Sequence, residues 1–422
     1  MESALKQKKR AVSVRSLLPS SRPLWVLALS TLARSTGNGV VVAIIVLYLT
    51  RSVEISSTSV GLALAIAAVV GMIVSIPAGH ASDVLGARPT AICSVVLQGV
   101  AVWGYVLVGG FGALVAAAAL VAVTDSASSA SRGALVALAV PQKERVRTRA
   151  YLRSVTNVGF SVGALLGGLV LNADSPAAYT GALIASGALF VVAGLAFLAL
   201  DTVPQVPRPA EESPWGVLRD GPFVAVGMIN AVLMMNAGIL DVALPIWIAE
   251  NTQAPMSVFA PLLLINTVMV VFLQVPVSKG AEDVRGGARA LFRSGLWLAA
   301  CCAAIALASG RSTWVAVVLL VAGVAIHTVG ELLYSAGSWA LSYELAPEHA
   351  QGQYQGMFGL TTQLGTAITP AVTALLIVQH GWIGWLVMGA MLAAAGLAAP
   401  AVARWAERSR PAYSRPAAAL AG

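Results

Sequence analysis

"GHASDVLGARPT", residues 79–90, lies between two long apolar runs. Gly79 and Gly86 bracket Asp83, Arg88 follows, and the chain then returns to apolar residues. The runs on either side decide how this stretch is read. Of 422 residues, 58% are hydrophobic and only 10% charged, and the mean hydropathy is +0.82. A soluble domain carries about a quarter charged residues, so this chain could not cover a water-exposed surface. Apolar runs of the ~20 residues needed to cross a bilayer core recur along it. Backbone polar groups in lipid must pair internally, which leaves helices or closed barrels. The runs lack the period-two alternation of barrel strands, so helices are expected.

Twelve spans are predicted, near 24–49, 58–78, 89–109, 112–140, 155–172, 176–200, 222–249, 258–278, 290–309, 313–343, 356–379 and 381–403. The fourth and tenth exceed one bilayer and must tilt or protrude. With the N-terminus inside, 22 of the 26 Lys and Arg fall in inner segments or at their edges. Only Arg51 and Arg311 fall outside, and Arg34 and Arg132 lie within spans. This bias predicts both termini in the cytoplasm. It also accounts for the net charge of +8 without nucleic acid. The first apolar run is too long for the core of a cleaved signal, and no cleavage pattern follows it. Cys93, Cys301 and Cys302 lie in apolar spans and read as small hydrophobes. The four histidines lack metal-ligand spacing. No GxxxxGK[ST] pattern occurs, so ATP is not the expected energy source. No metal, cofactor or enzymatic constellation is expected.

Residues 201–220, DTVPQVPRPAEESPWGVLRD, hold four prolines and mixed charge. They divide the spans six and six and read as a linker. The expected organisation is 1–200 with a cytoplasmic tail, a linker at 201–221, a second six-span half at 222–403, and a tail at 404–422. "IPAGHASDVLGARPT" (76–90) recurs as "VPVSKGAEDVRGGARAL" (275–291) after the second span of the second half. Pro77 matches Pro276, Asp83 matches Asp283, and Gly86-Ala87-Arg88 matches Gly287-Ala288-Arg289. Recurrence at an equivalent place points to duplication.

Gly79, Asp83, Gly86 and Arg88 together resemble the loop 2–3 motif of the major facilitator superfamily, GxxxDRxGRR, with Val84 and Pro89 departing from it. The resemblance covers essentially the whole chain. It implies an all-α membrane protein of twelve transmembrane helices in two pseudo-symmetric six-helix bundles. It also implies that Asp83 faces the eleventh helix, expected to begin near Gln355-Gly356. Arg88 wants a carboxylate, and Glu144 is one candidate. Such contacts would hold the cytoplasmic side shut. In the fifth span, Gly159, Gly163, Gly167 and Gly168 are spaced for close helix packing. They are also similar to the GxxxGPxxGG motif of drug–proton antiporters, with Ala164 at the proline position. Residues 330–356 are similar to the corresponding region of bacterial efflux members, with Gln351-Gly352 where Arg-Gly is common.

Ionisable residues inside spans are functional candidates by default. Arg34 lies about ten residues into the first span, ~15 Å deep, and could pair with Asp125 of the fourth. Arg132, on the same face, could compete for Asp125. In the tenth span His327 and Glu331 are four residues apart and share a face. A buried carboxyl beside a histidine could bind and release a proton, or Glu331 could simply brace its helix. Asp241, towards the outer end of the seventh span, is the rival carrier. Asn230, Asn236, Asn266, Tyr334, Trp339 and Gln363 are candidate cavity residues. Trp25, Tyr48, Trp247, Trp314 and Trp405 are expected in interfacial belts. The favoured function is proton-coupled export of a small amphipathic or hydrophobic compound from the bacterial cytoplasm by a monomer. The alternative is an uptake symporter or uniporter for a polar metabolite. Expected partners are a small-molecule substrate, protons and the lipid bilayer.

Overall fold

The computed structural model describes residues 21–201 and 213–413, the last three as backbone only. All regular structure among them is helical. The first set comprises α1 (Arg22–Leu47), α2 (Ser57–Leu85), α3 (Ala87–Gly104), α4 (Phe111–Ala139), α5 (Arg145–Ala173) and α6 (Pro176–Ala196). The second comprises α7 (Gly221–Met234), α8 (Leu244–Asn251), α9 (Phe259–Val277), α10 (Val284–Ala306), α11 (Thr313–Glu344), α12 (Gln351–Thr373) and α13 (Gln379–Tyr413). Helices α7 and α8 form one crossing, joined through a π turn at Ile239–Ala243.

Eleven stretches are long and apolar enough to cross a membrane. The last, Glu348–Arg410, has 63 residues, which would run ~95 Å as one straight helix. Gly381, near the start of α13, adopts φ 57 and ψ −130 and kinks it there, making two crossings. That backbone conformation is open only to glycine at low cost. The twelve crossings match the expected number. Several helices begin earlier than their apolar runs, because helix continues beyond the membrane: α5 starts at Arg145 and α10 at Val284.

Local chemistry sets the ends. Ser56, Ser175, Asp220 and Asp283 accept hydrogen bonds from the first turns of α2, α6, α7 and α10. Gly86, at φ 98, is the whole connection between α2 and α3. Only glycine turns the chain so sharply there without strain. Pro77 and Pro276, matched in sequence, both lie inside helices, in α2 and α9.

The packing repeats. Helix α1 packs on α5 and α6, α2 on α4, and α3 on α4 and α6. In the second set, α7 packs on α12 and α13, α9 on α11, and α10 on α11 and α13. Each pair of the first set thus recurs at the equivalent place. Between the sets, α2 meets α12 and α5 meets α9. Three of the apolar clusters follow the same division, one drawing on residues 217–406 with Ile76 and two on residues 27–200 with Tyr343, while a small fourth joins Val146 to Ala281, Ala290, Ala336 and Ala340.

The expected aromatic belt is only partly present. Trp25, Trp314 and Trp405 are exposed, as interfacial residues should be. Trp247 and Tyr48 are buried instead. Trp247 donates from Nε1 to the Ile305 carbonyl at 3.0 Å and meets Trp385 edge-on. A ring whose N–H finds a buried acceptor can leave the interface at little cost. The cysteines are free, with Cys93 exposed and Cys301 and Cys302 buried.

Candidate functional site

The end of the bundle where α2 stops carries a latch between the two sets. Asp83 lies in the last turn of α2 and reaches the start of α12. Its Oδ1 accepts from the Gly352 amide at 2.6 Å and its Oδ2 from the Gln353 amide at 2.8 Å. These first-turn amides have no partner within their own helix, and the helix dipole favours an anion there. The helix begins at Gln351, four to five residues before the expected Gln355-Gly356, because a polar first turn precedes the apolar run. Gly79 makes the approach possible: a Cβ there would lie 2.1 Å from the Gly352 carbonyl. Ser75 donates to the Gly356 carbonyl at 2.7 Å, and Gln142 donates to Glu344 at 2.5 Å.

Among the described residues Arg88 meets no carboxylate. Its Nε donates to the Phe197 carbonyl at 3.1 Å and its Nη2 to the Leu198 carbonyl at 2.7 Å. These carbonyls end α6, where the dipole favours a cation. The expected pairing with Glu144 is therefore replaced by a helix-end cap within the first set. The second motif copy also acts differently. Asp283 Oδ1 accepts from the Gly286 amide of its own α10 at 2.5 Å. Helix α9 stops at Val277, so Asp283 lies beyond its end and caps the next helix.

Deeper in the bundle, an ionisable cluster joins α5, α9 and α11. Arg153 of α5 forms an ion pair with Glu331 of α11 and also donates to the Ser335 hydroxyl. Both charged side chains are largely buried, at 25% and 17% exposed. Asn266 of α9 donates to Glu331 Oε2 and to the Thr328 hydroxyl, each at 3.0 Å. His327 Nε2 lies 3.0 Å from the Asn236 carbonyl. A carbonyl can only accept, so that nitrogen carries the hydrogen and Nδ1 of the neutral ring has a free lone pair. Nδ1 is buried without a hydrogen-bond partner and lies 3.9 Å from Glu331 Oε2. Glu331 Oε2 therefore faces a histidine nitrogen that has no hydrogen-bond partner.

Arg153 is the residue that the charge count misplaced. It was grouped with the basic residues of the inner loop, yet it sits eight residues into α5. Its signal was its distance from that cluster's other members along a helix. Asp220 was also missed. It is 1% exposed and accepts from the Phe223 amide, the Tyr354 hydroxyl and Arg410. It ties the starts of α7 and α12 to the end of α13.

The remaining candidates divide. Arg34 Nη1 lies 3.1 Å from Asp125 Oδ1, and Gln98 donates to the same oxygen at 2.9 Å. Arg132 does not compete for it: its Nε bonds the Ser128 carbonyl and hydroxyl one turn back. Asp241 lies exposed on the π turn between α7 and α8. Asn230 and Tyr334 are buried and bonded to each other, and Asn230 also donates to Thr361 and Thr362. Asn236 is buried and donates to the Leu233 carbonyl. Trp339 packs against the apolar cluster of the first set, and Gln363 reaches Ser126 at 3.5 Å. Gly159, Gly163 and Gly167 press on α1, where added Cβ atoms would lie 2.3, 2.1 and 2.6 Å from Ser35, Thr36 and Ala43. Gly168 has open space around it and is not part of that contact. Among the described residues, no three His, Cys, Asp or Glu side chains form a metal-binding group.

The profile described as the Major Facilitator Superfamily matches residues 27–368 and 226–421. The chain belongs to the Major Facilitator Superfamily. It is a multi-pass membrane secondary transporter and not an enzyme. A curated relative, the uncharacterized MFS-type transporter YhjO of Bacillus subtilis (strain 168), is 21% identical over 310 residues. That match covers 73% of this chain and 74% of the relative. Among solved structures, a bacterial homologue of the iron transporter ferroportin in an outward-facing state superposes with a TM-score of 0.73 at 15% identity. It covers 92% of this chain and 100% of that one. The transporter FucP in its outward conformation superposes at 0.67 with 14% identity, over 91% and 98% of the two chains. Both likenesses are likenesses of fold. In this superfamily member, the latch and the ionisable cluster are charged links between the helix sets.

Proposed function

We propose that this transporter exports a small amphipathic or hydrophobic compound in exchange for protons, by alternating access across a bacterial cytoplasmic membrane. The observation that carries the reading is the cluster of Arg153, Glu331 and His327. Glu331 is held by an arginine from the other helix set and faces an unpartnered histidine nitrogen. A proton arriving between Glu331 and His327 Nδ1 would bond both and cancel the carboxylate charge. Arg153 would then lose its counter-ion, and a link between the sets would weaken. Proton binding is thereby converted into a bias on how the sets sit together.

Orientation and division into halves belong to the same proposal. The excess of Lys and Arg on inner segments supports both termini in the cytoplasm. Repetition of the packing pairs supports six-helix halves at 1–200 and 222–403 joined by a linker. In that orientation the Asp83 latch closes the cytoplasmic side, and the conformation is outward-facing. Five of the six candidate cavity residues already bond other side chains or backbone, which leaves fewer polar groups for a sugar-like substrate. This favours an apolar or amphipathic cargo.

The test is proton movement in proteoliposomes containing a pH-sensitive dye, with lipophilic cations, antibiotics and sugars added in turn. Wild type should show proton flux triggered by an amphipathic compound, and Glu331→Gln should abolish it while inserting normally. Flux that survives the substitution would move the carrier to Asp241 or Asp125. Substrate crossing without any proton flux would overturn antiport.

A further inference from the structure

A second charged feature lies on α10 and α13, apart from the Arg153–Glu331–His327 cluster, and does not rest on proton coupling. Helices α10 and α13 pack closely along their length, with a Cβ at Gly295 falling 2.8 Å from the Gly396 Cα. At the end where α10 begins and α13 finishes, the seam opens into a cleft of about 700 Å³. Arg285 and Arg289 line it from α10, and Arg404 and Arg408 line it from α13. In each pair the residues are four apart and share one helix face. All four are exposed, and none has a carboxylate partner among the described residues. Two acids also line the cleft. Asp283 is engaged in capping α10, and Glu407 lies between the arginines of α13. Four guanidinium groups without carboxylate partners, of which only Arg408 spends its Nε on the Arg404 carbonyl, stand against two carboxylates and leave the cleft net positive.

The surface changes character with depth. Leu296 lies seven residues beyond Arg289 and Leu397 seven before Arg404, each on the same face as its arginine. They are 44% and 56% exposed. Arg293, also exposed, continues the basic row one turn into α10. Trp405, 47% exposed, stands beside Arg404 at a level suited to a headgroup layer. A soluble anion would use the arginines and ignore the apolar strip. An anionic phospholipid would use both, with its phosphodiester on the guanidinium groups and its acyl chains along the leucines.

We propose that the cleft between the start of α10 and the end of α13 binds the headgroup of an anionic phospholipid. The experiment uses the purified full-length protein in neutral detergent, titrated with phosphatidylglycerol and followed by native mass spectrometry. Phosphatidylcholine and inorganic phosphate are titrated separately. Phosphatidylglycerol should bind well above phosphatidylcholine, and phosphate should not compete with it. Arg289→Gln with Arg404→Gln should weaken phosphatidylglycerol about tenfold or more, whereas the double Lys variant should retain most of the affinity. A photoactivatable phosphatidylglycerol on the wild-type protein gives a readout free of any folding defect. Its crosslinks should concentrate in 284–297 and 397–408. Equal binding of phosphatidylcholine, undiminished binding by the Gln variant, or crosslinks spread evenly over the helices would each overturn the proposal. Displacement by inorganic phosphate alone would make the cleft a site for free anions and overturn it too.

Discussion

Arg153 and Glu331 belong to different helix sets and are both largely buried. Removing one leaves the other as an uncompensated charge, which costs about 3–5 kcal/mol for a buried pair. Arg153→Met should therefore destabilise strongly, and Arg153→Met/Glu331→Leu should regain much of the loss. Unfolding of the purified variants in detergent, read as a double-mutant cycle, would show this. Additive losses would mean that the two side chains do not depend on each other. Glu331, His327 and Asp83 were visible in the sequence because an ionisable group in an apolar run stands out. Arg153 was not, because it follows four other basic residues and nothing local marks where the loop ends and the helix has begun. Arg88 was visible as a residue, but its partners were not: backbone carbonyls at a helix end leave no mark in side-chain identity.

At the scale of elements, α5 meets α1 through three glycines and not four. Gly163→Ala would place a methyl 2.1 Å from the Thr36 carbonyl, and overpacking of this kind costs about 1–3 kcal/mol. Gly168→Ala meets nothing within 4 Å and should stay within about 0.5 kcal/mol of wild type. Thermal denaturation of the two variants separates the packing face from a motif in which all four glycines are equivalent. The spacing of the glycines was legible, but their direction was not, since two adjacent glycines cannot both face one neighbour. A similar contrast applies to the latch. Gly79→Ala would drive a methyl into the Gly352 carbonyl and should favour separation of α2 from α12. Gly61→Ala, in the same helix with open space around it, should not. Accessibility of an introduced cysteine at Gln353 to a membrane-impermeant thiol reagent measures the difference. Equal labelling in both variants would remove the close Gly79–Gly352 approach from the gate.

At the scale of the whole molecule, the sequence pattern conveyed the twelve crossings and the duplication. Apolar length and repeated Pro, Asp and Gly-Ala-Arg positions are properties of local sequence. It did not convey how the two motif copies diverge. Asp83 ends α2 and bridges to the other set, whereas Asp283 begins α10 and bonds within its own helix. The cause is the loop: one glycine joins α2 to α3, but α9 ends six residues before Asp283. Of the two motif aspartates, only Asp83 bridges the sets at that end, where the Ser75–Gly356 and Gln142–Glu344 hydrogen bonds also cross between them. Asp83→Asn keeps the shape, but its one amide oxygen can accept from only one of the two N–H groups and its NH2 opposes the other; hydrogen bonds of the charge-assisted class are worth about 1.5–3 kcal/mol each. It should raise the population open at that end, seen as faster substrate release in right-side-out vesicles.

The most direct test is a distance across that end in purified protein. Spin labels at Lys143→Cys and Glu282→Cys, both exposed positions on opposite sets, would be read by pulsed electron resonance. Cys93, which is exposed, would be replaced by Ser, and Cys301 and Cys302 are buried. At high pH the wild type should show mainly the short distance of the closed end. Lowering the pH should add a longer distance, and Glu331→Gln should show that longer distance at every pH. A single unchanged distribution across pH and in the variant would contradict a gate governed by the proton on Glu331.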